Sequence, residues 1–215
     1  MRWKFCGGNC VKNGYQNNGK QRYRRKHCNK KQQQDYNYKA YKPQVNQYIV
    51  DHIKEAAGIR SLARLLHIST TTLMKRILKI ANKIIAPHIV ADSIYEVDEI
   101  KTYIGRKQEH IWIAYALDRK DKSIACFAVG PRTNATLYKV LGKLNNAKCI
   151  YTDRLRQYKS LIEQSIHKTI IYGTNHIERN NLTIRTHIKR LTRRTICFSW
   201  KATMLYAIMK IYFWG

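Results

Sequence analysis

The sequence over residues 94–129 reads IYEVDEIKTYIGRKQEHIWIAYALDRKDKSIACFAV. It contains three runs rich in β-branched and aromatic residues, and the polar stretch DRKDK at residues 118–122 separates the last two runs. Such side chains favour strands, and short polar connections are typical of hairpins. The segment therefore predicts three antiparallel strands, at residues 94–104, 110–117 and 123–129.

The pattern changes after residue 130, where helical and strand-like segments alternate. We expect a helix over residues 133–144, a strand over 147–152, a helix over 154–166, a further strand over 167–172 and a long helix from about residue 175. The order β-β-β-α-β-α-β-α is that of a ribonuclease H-like α/β domain, in which helices flank a mixed sheet.

Three acidic residues lie on elements that should meet at one end of this sheet. Asp98 is on the first strand, Asp153 directly follows the fourth strand, and Glu178 is in the first turn of the last helix. Carboxylate oxygens are preferred ligands of magnesium and manganese. Two such ions, held about 3.5–4 Å apart, can promote an in-line displacement at phosphorus. We therefore expect these acids to bind two divalent ions in a phosphodiester-processing site.

The residues alone leave alternatives for two of these acids. Alternation along a strand puts Glu96 on the same face as Asp98, so either could be the metal ligand. Glu178 is also an acid that would be favourable near the N-terminus of any helix.

The charge of the chain indicates a polyanionic partner. The 215 residues include 41 Lys+Arg and 13 Asp+Glu, a formal net charge of +28. When Lys and Arg side chains neutralise phosphates, counterions condensed on the nucleic acid are released, and this release favours binding to nucleic acid. The last helix should continue beyond Glu178 with a buried stripe of Ile177, Ile184, Ile188 and Leu191. The cations of this helix are predicted to contact a DNA backbone; alternatively, they form a charged face exposed to solvent. They include Arg179, Arg185, Lys189 and Arg190.

Residues 42–88 predict a helical DNA-binding domain. Apolar residues recur at helical spacing over residues 45–56, Gly58 marks a break, and residues 59–66 form a short amphipathic helix. Ser69 is the expected N-cap of a helix that starts at Thr70. This is the layout of a helix-turn-helix, with an ordinary helical hairpin as the alternative. The side chains that could meet base edges and phosphates are Arg60, Thr70, Thr71, Thr72, Lys75 and Arg76.

Residues 1–41 are basic and polar, with too few apolar residues to fold without a metal or a partner. Cys6, Cys10, His27 and Cys28 are candidate zinc ligands. The adjacent pair His27 and Cys28 is awkward to place on one tetrahedral ion.

We expect a cytoplasmic protein, associated with the nucleoid through its DNA partner and without membrane contact. No segment is long and apolar enough to span a bilayer. The apolar stretch at residues 202–214 is expected to be a core-packing helix or a protein contact. Cys126, Cys149 and Cys197 lie in apolar surroundings and are expected to be small core residues.

Several motifs together resemble the transposase of the insertion-sequence-one family. They are Tyr95-Glu96-Val97-Asp98-Glu99, the run from Trp112 to Arg119, Tyr151-Thr152-Asp153 and the run from His176 to Ser199. The 24 residues from 154 to 177, between the second and third acids, match the spacing of that family. Matches at residues 11–14, 19–23 and 58–60 extend the resemblance over nearly the whole chain.

The resemblance implies a DDE transposase, which cuts donor DNA at the terminal inverted repeats of an insertion sequence and joins the freed 3′ ends to target DNA. It implies that Asp98, Asp153 and Glu178 are the catalytic, magnesium-binding acids, which favours Asp98 over Glu96. Arg185 and Lys189 would support the DNA end, and the helix-turn-helix would bind the inverted repeats. The partners would be double-stranded DNA and further copies of the chain, acting as a homo-oligomer on two DNA ends.

The resemblance also implies a domain order of a zinc-ribbon-like module at residues 1–41, the helix-turn-helix at 42–88 and the catalytic domain at 89–215. Trp3 and Arg25 stand where two cysteines of the family's ribbon would be. Zinc binding would then require Cys10 and His27. The alternative functions are a non-catalytic DNA-binding regulator, a decayed transposase copy, and a ribonuclease H-like nuclease or junction resolvase.

Overall fold

The computed structural model describes residues 7–17, 19–33, 38, 40, 42 and 44–215. The chain divides into two compact units, Met1–Pro43 and Gln44–Gly215. The first unit contains a three-stranded antiparallel sheet of β1 (Val11–Tyr15), β2 (Gln21–Arg24) and β3 (Lys31–Gln33). Gly19 adopts a φ of 74° in the β1–β2 turn, where its N–H donates to the carbonyl of Gln16 at 2.9 Å. Glycine adopts this left-handed conformation without steric cost.

The second unit is built on a five-stranded sheet in the order β6-β5-β4-β7-β8. Its strands are β4 (Ile94–Ile104), β5 (Arg106–Asp118), β6 (Ile124–Gly130), β7 (Cys149–Thr152) and β8 (His167–Lys168). β4, β5 and β6 pair in antiparallel fashion, which confirms the predicted meander. β7 and β8 pair in parallel with β4 and β7, respectively. This mixed sheet with flanking helices is compatible with a ribonuclease H-like fold.

The helices of this unit lie before and after the meander. They are α1 (Val45–Lys54), α2 (Ile59–Leu66), α3 (Thr70–Lys83), α4 (Asn134–Leu141), α5 (Arg156–Leu161), α6 (Asn175–His187) and α7 (Ala202–Trp214). Ser69 caps α3 as predicted, since its Oγ accepts the N–H of Thr72 at 3.1 Å. Both α5 and β8 are shorter than predicted.

The sheet buries both of its faces. On one face, Val97 and Ala116 pack with Leu137 and Val140 of α4 and with Tyr158 of α5. On the other face, aromatic rings connect the sheet to α7. The ring centroids are 4.8 Å apart for Phe127 and Tyr206 and 5.8 Å apart for Tyr115 and Phe213.

α7 also packs against α1 and α3, so one helix joins the helical region to the sheet. Its side chains Leu205, Ile208, Met209 and Ile211 are buried. The prediction of a core-packing helix at residues 202–214 is therefore confirmed. In the part of the chain that the structure describes, no helix combines the length and apolarity needed to cross a membrane.

The last predicted helix ends earlier than expected. α6 stops at His187, Ile188 has φ −113° and ψ 94°, and a 3-10 helix follows at Lys189–Leu191. The Arg185 guanidinium donates to the carbonyl of Leu191 at 2.9 Å and stabilises the chain reversal. Ile188 and Leu191 are buried as predicted, but they lie beyond the helix.

The cysteine prediction was right at two of three positions. Cys126 and Cys149 are buried, whereas Cys197 is exposed. Cys197 is exposed because residues 192–201 form an irregular connection to α7 and do not continue a buried helix.

Candidate active site

Asp98 and Asp153 lie at corresponding positions on neighbouring strands. Val97 of β4 is paired with Thr152 of β7 in parallel register, so the residue that follows each of them comes to the same place along the sheet. Asp153 directly follows β7, and its Oδ1 accepts the N–H of Leu155 at 2.9 Å. The structure therefore brings these two predicted acids together.

Asp98 is largely buried and hydrogen-bonded through both oxygens. Its Oδ1 accepts the N–H of Glu99 at 2.7 Å, and its Oδ2 accepts Nδ2–H of Asn181 at 2.6 Å. Burial raises the pKa of Asp98 to about 6, and the charges of Glu99 and Asp153 add to this effect, which the two hydrogen bonds only partly oppose. A desolvated carboxyl beside other carboxyls is stabilised in its ionised form by a cation.

Asn181 connects Asp98 to the next strand. Its Oδ1 accepts the hydroxyl of Tyr115 at 2.7 Å, which directs the amide nitrogen towards Asp98. Burial raises the pKa of Tyr115, so this hydroxyl keeps its proton and acts as a donor. Asn181 was not among the residues predicted from the sequence. The available signal was its place three residues after Glu178, which puts the two residues on neighbouring positions of one helix face.

Glu96 has structural contacts on the same sheet face as Asp98. Its side chain is completely buried, and Oε2 accepts the N–H of Ile177 at 2.8 Å in the first turn of α6. Its Oε1 lies 2.8 Å from Nε of Arg119, whose guanidinium stacks 4.4 Å from the ring centroid of Tyr151. Glu96 therefore holds the N-terminus of α6 against β4, which a carboxylate does favourably at that end of a helix.

Glu178 is exposed in the first turn of α6, where the sequence predicted it. Its Oε1 accepts the hydroxyl of Thr174 at 2.7 Å. Among the residues that the structure describes, no three His, Cys, Asp or Glu side chains form a group that could hold a metal ion. The structure thus pairs Asp98 with Asp153 and places Glu178 on the adjoining helix, bound to Thr174.

The end of β7 is supported by a side-chain pair that the sequence did not reveal. Thr152 Oγ1 lies 2.8 Å from Nε2 of His167 on β8. Burial lowers the pKa of His167, and the charge of Lys159 lowers it further. A neutral imidazole next to Thr152 fixes the strand end from which Asp153 projects.

The four cations predicted to contact DNA from this region fall into two groups. Arg179 and Lys189 are exposed. Arg185 and Arg190 are half-buried, and their guanidinium groups donate to the carbonyl of Leu191 and the hydroxyl of Ser199, respectively. Burial lowers the pKa of Arg190 to about 10. This second pair holds the segment after α6 in place.

The predicted base-contacting residues also divide into two groups. Arg60, Thr70, Thr71 and Lys75 are exposed on α2 and α3. Thr72 Oγ1 lies 2.9 Å from Ser69 Oγ at the helix cap. Arg76 donates to Oδ1 of Asn46 on α1 at 2.9 Å.

The predicted zinc ligands are only partly within the described residues. Cys6 lies outside them. Cys10 is half-buried, and its sulfur accepts Nε2–H of Gln32 at 3.8 Å. His27 and Cys28 are exposed in the turn between β2 and β3.

The sheet order, the flanking helices and the aspartate pair place the second unit in the class of α/β domains compatible with a ribonuclease H-like fold. Comparison with known proteins gives the family. Residues 89–213, more than half of the chain, match the family model described as IS1 transposase. The chain belongs to the IS1 transposase family.

Individual relatives agree with this assignment. The insertion element iso-IS1n protein InsB of Shigella dysenteriae is 39% identical over 108 residues, which are 49% of this chain and 82% of that protein. The insertion element IS1 protein InsB of Shigella flexneri is 35% identical over 106 residues, 48% of this chain and 81% of that protein. A solved structure, the simian T-cell lymphotropic virus intasome in complex with PP2A regulatory subunit B56 gamma, contains a chain with TM-score 0.37 and 16% identity, covering 75% of this chain and 66% of its own length.

Proposed function

We propose that this chain is a metal-dependent DNA transposase that binds the terminal inverted repeats of an insertion sequence, cleaves DNA there and joins the 3′ ends to target DNA. The observation that carries the proposal is the pair of Asp98 and Asp153 at the same level of two adjacent parallel strands. Asp98 has a pKa raised to about 6, chiefly by burial. Perturbed carboxyls of this kind are typical of functional sites.

The donor atoms of the site fit magnesium or manganese. They are carboxylate oxygens, which these hard cations prefer. Asp98 and Asp153 would hold the ions, and Glu178 would complete the set from the first turn of α6. Two bound ions supply activation of the attacking oxygen and stabilisation of the leaving 3′ oxygen.

The protein's own contribution is to fix the acids before substrate arrives. Asn181 and the N–H of Glu99 orient Asp98, and Glu96 secures α6 to β4. Preorganised groups of this kind need no reorganisation during reaction, which lowers the barrier.

The exposed cations would make the contacts with DNA. Arg179 and Lys189 would bind backbone phosphates near the acids, with Arg185 and Arg190 supporting the segment beneath them. On the helix-turn-helix, the exposed side chains that would contact the inverted repeats are Arg60, Thr70, Thr71 and Lys75. Double-stranded DNA would be bound by a homo-oligomer that holds two element ends.

The chain would consist of three domains, with boundaries after residues 41 and 88. Residues 1–41 would form a zinc-ribbon-like module with Cys6, Cys10, His27 and Cys28 as ligands. Residues 42–88 would form the helix-turn-helix domain, and residues 89–215 the catalytic domain.

The test is cleavage and joining of a labelled duplex that carries the element end, with magnesium or manganese. The parent chain is compared with Asp98→Asn, Asp153→Asn and Glu178→Gln, and Glu109→Gln is the control. Glu109 is an exposed acid of β5 that pairs with Arg106 at 2.8 Å, away from the acids of the site. Product in the parent and the control, and its loss in the three variants, is the expected result.

Other outcomes would replace the proposal. Binding of the element end without cleavage would indicate a non-catalytic regulator, and absence of both activities a decayed copy. Cleavage of branched or RNA–DNA hybrid substrates without preference for the element end would indicate a nuclease or resolvase.

A further inference from the structure

A groove of about 860 Å³ lies outside the acidic site, between α2–α3 and the segment of residues 188–201 with α7. Its apolar lining includes Met74 and Leu78 of α3 and Ile196 and Trp200 of the opposite wall. Its cations are Arg60, Lys75, Lys189, Arg190 and Lys201. None of the described residues that line it is acidic.

Two large apolar side chains on this wall are almost fully exposed. Trp200 is 81% exposed and Ile196 is 83% exposed. Large exposed apolar side chains that lie close together mark interaction sites.

The exposure of these side chains does not come from a loosely held loop. Between them, Ser199 is buried, its carbonyl accepts the N–H of Gly105 at 2.9 Å, and its hydroxyl accepts from Arg190. Phe198 packs its ring against Tyr103, with centroids 6.4 Å apart. The backbone of the loop is therefore anchored to the end of β4 next to Trp200, whose side chain is exposed.

The charge around the groove selects an anionic occupant. From residue 179 to residue 215 the sequence contains eight Lys and Arg residues and no Asp or Glu. An exposed aromatic ring among cations is the combination that binds unpaired nucleotides, because bases stack on the ring and phosphates meet the cations. The volume of the groove lies within the range of about 300–1,000 Å³ that is typical of small-molecule sites, so it suits a few nucleotides of one strand. Because Arg60, Thr70, Thr71 and Lys75 line it, the part of the element end that they contact would be held there as an unpaired strand and not as a duplex.

We propose that this groove binds unpaired nucleotides of the DNA strand that enters the active site, with a base stacked on Trp200. This inference rests on the proposed function, because it states that the same enzyme holds part of its DNA substrate as an unpaired strand. Ser199 lies beside Ile104, six residues beyond Asp98 on β4. Six residues of strand span about 20 Å. The unpaired stretch would therefore lie about 20 Å from Asp98.

The test measures binding of the full chain to a fluorescent oligothymidylate and to a duplex of the same length, in chelator so that no cleavage occurs. Trp200→Ala should weaken single-strand binding by about tenfold or more and duplex binding by less than about twofold. Trp200→Phe should retain most of the single-strand affinity, because phenylalanine can also stack. Tyr138→Ala is the matched control: Tyr138 is 61% exposed on α4, on the opposite face of the sheet from α7, and its loss should change neither affinity.

Three results would overturn the inference. They are no single-strand binding by the parent chain, unchanged single-strand affinity in Trp200→Ala, or an equal loss on both probes. If Trp200→Ala instead abolishes self-association and leaves oligonucleotide affinity intact, the groove is a contact between copies of the chain.

The outcome is separable from that of the proposed reaction. Loss of single-strand binding in Trp200→Ala, together with no cleavage by the parent, would support the groove as a single-strand binding site and reject the catalytic proposal. Cleavage that requires the three acids, with unchanged binding in Trp200→Ala, would reject the groove alone.

Discussion

Asn181 makes hydrogen bonds to side chains of two neighbouring strands. It donates to Asp98 on β4 and accepts from Tyr115 on β5, with distances of 2.6 and 2.7 Å. An amide can do both with one planar group, whereas a carboxylate only accepts and an ammonium only donates. Asn181 is therefore a positioning residue for Asp98.

Replacing Asn181 with aspartate should disturb Asp98 electrostatically. Asn181→Asp removes a donor that lowers the pKa of Asp98 and places a second negative charge beside it. We expect the pKa of Asp98 to rise above about 6, so that the acid limb of the cleavage pH profile moves to higher pH. Asn145→Asp, at an exposed position after α4, should leave the profile unchanged. An unshifted profile in Asn181→Asp would show that Asn181 does not tune Asp98.

Asp98 should lower the stability of the metal-free chain at neutral pH. Its pKa is raised from 3.8 to about 6, so the folded state binds the proton more tightly than the unfolded state. The resulting decrease in the free energy of unfolding is absent below pH 4, grows between pH 4 and 6, and reaches about 3 kcal/mol above that range. In chelator, Asp98→Asn should therefore raise Tm by several degrees at pH 8 and leave it nearly unchanged at pH 4.

Asp121 gives the control of opposite sign. Hydrogen bonds from Ser123 lower its pKa, so its ionised form stabilises the fold at pH 8, and this contribution is lost as the pH falls. Asp121→Asn should lower Tm slightly at pH 8. Equal Tm values for Asp98→Asn and the parent chain at pH 8 would contradict the account given for Asp98.

Among the elements, those defined by local pattern were predicted well. The bounds of β4 agree with the prediction, and Ser69 caps α3 as expected. The end of α6 was missed because no glycine or proline marks it. It is set by the contact of Arg185 with the carbonyl of Leu191, which connects residues on either side of the reversal.

In the candidate site, too, the features set by local sequence pattern were predicted and those set by side-chain contacts were not. The sequence placed Asp98, Asp153 and Glu178 on the elements where the structure has them, because strand ends and first turns can be inferred from pattern. The links of Asn181 to Tyr115 and of Glu178 to Thr174 depend on side-chain geometry, which pattern does not specify.

The cap of α3 gives a prediction at the same scale. Ser69→Ala removes the acceptor for the N–H of Thr72 and should cost about 1 kcal/mol, or roughly 2–4 °C in Tm. Ser69→Asp should retain the cap. Ser160→Ala, at an exposed serine of α5, serves as the control and should have little effect in the same thermal melt. A melt of Ser69→Ala that coincides with that of the parent would show that the cap is dispensable.

At the scale of the molecule, α7 couples the helical region to the sheet, because α1, α3 and β6 all pack on it. Ile208→Ala should destabilise residues 44–215 by about 2–5 kcal/mol, because it removes a buried side chain from this shared helix. Helix and sheet should still unfold together, with far-UV circular dichroism and tryptophan fluorescence giving the same midpoint. Ile171→Ala, at a position 71% exposed, should leave that midpoint unchanged. Separate midpoints for the two probes would show that α7 does not couple the regions.

The position of α7 in the chain also sets a delay during synthesis. α3 ends at Lys83 and α7 begins at Ala202, so the 118 residues from 84 to 201 are made between them. At about 5–20 residues per second, the first helices emerge roughly 6–24 s before the helix that covers them. During that interval their apolar surface is open to chaperones and to other nascent chains. The growing polypeptide on the ribosome is therefore a state in which the apolar faces of α1 and α3 can take part in aggregation.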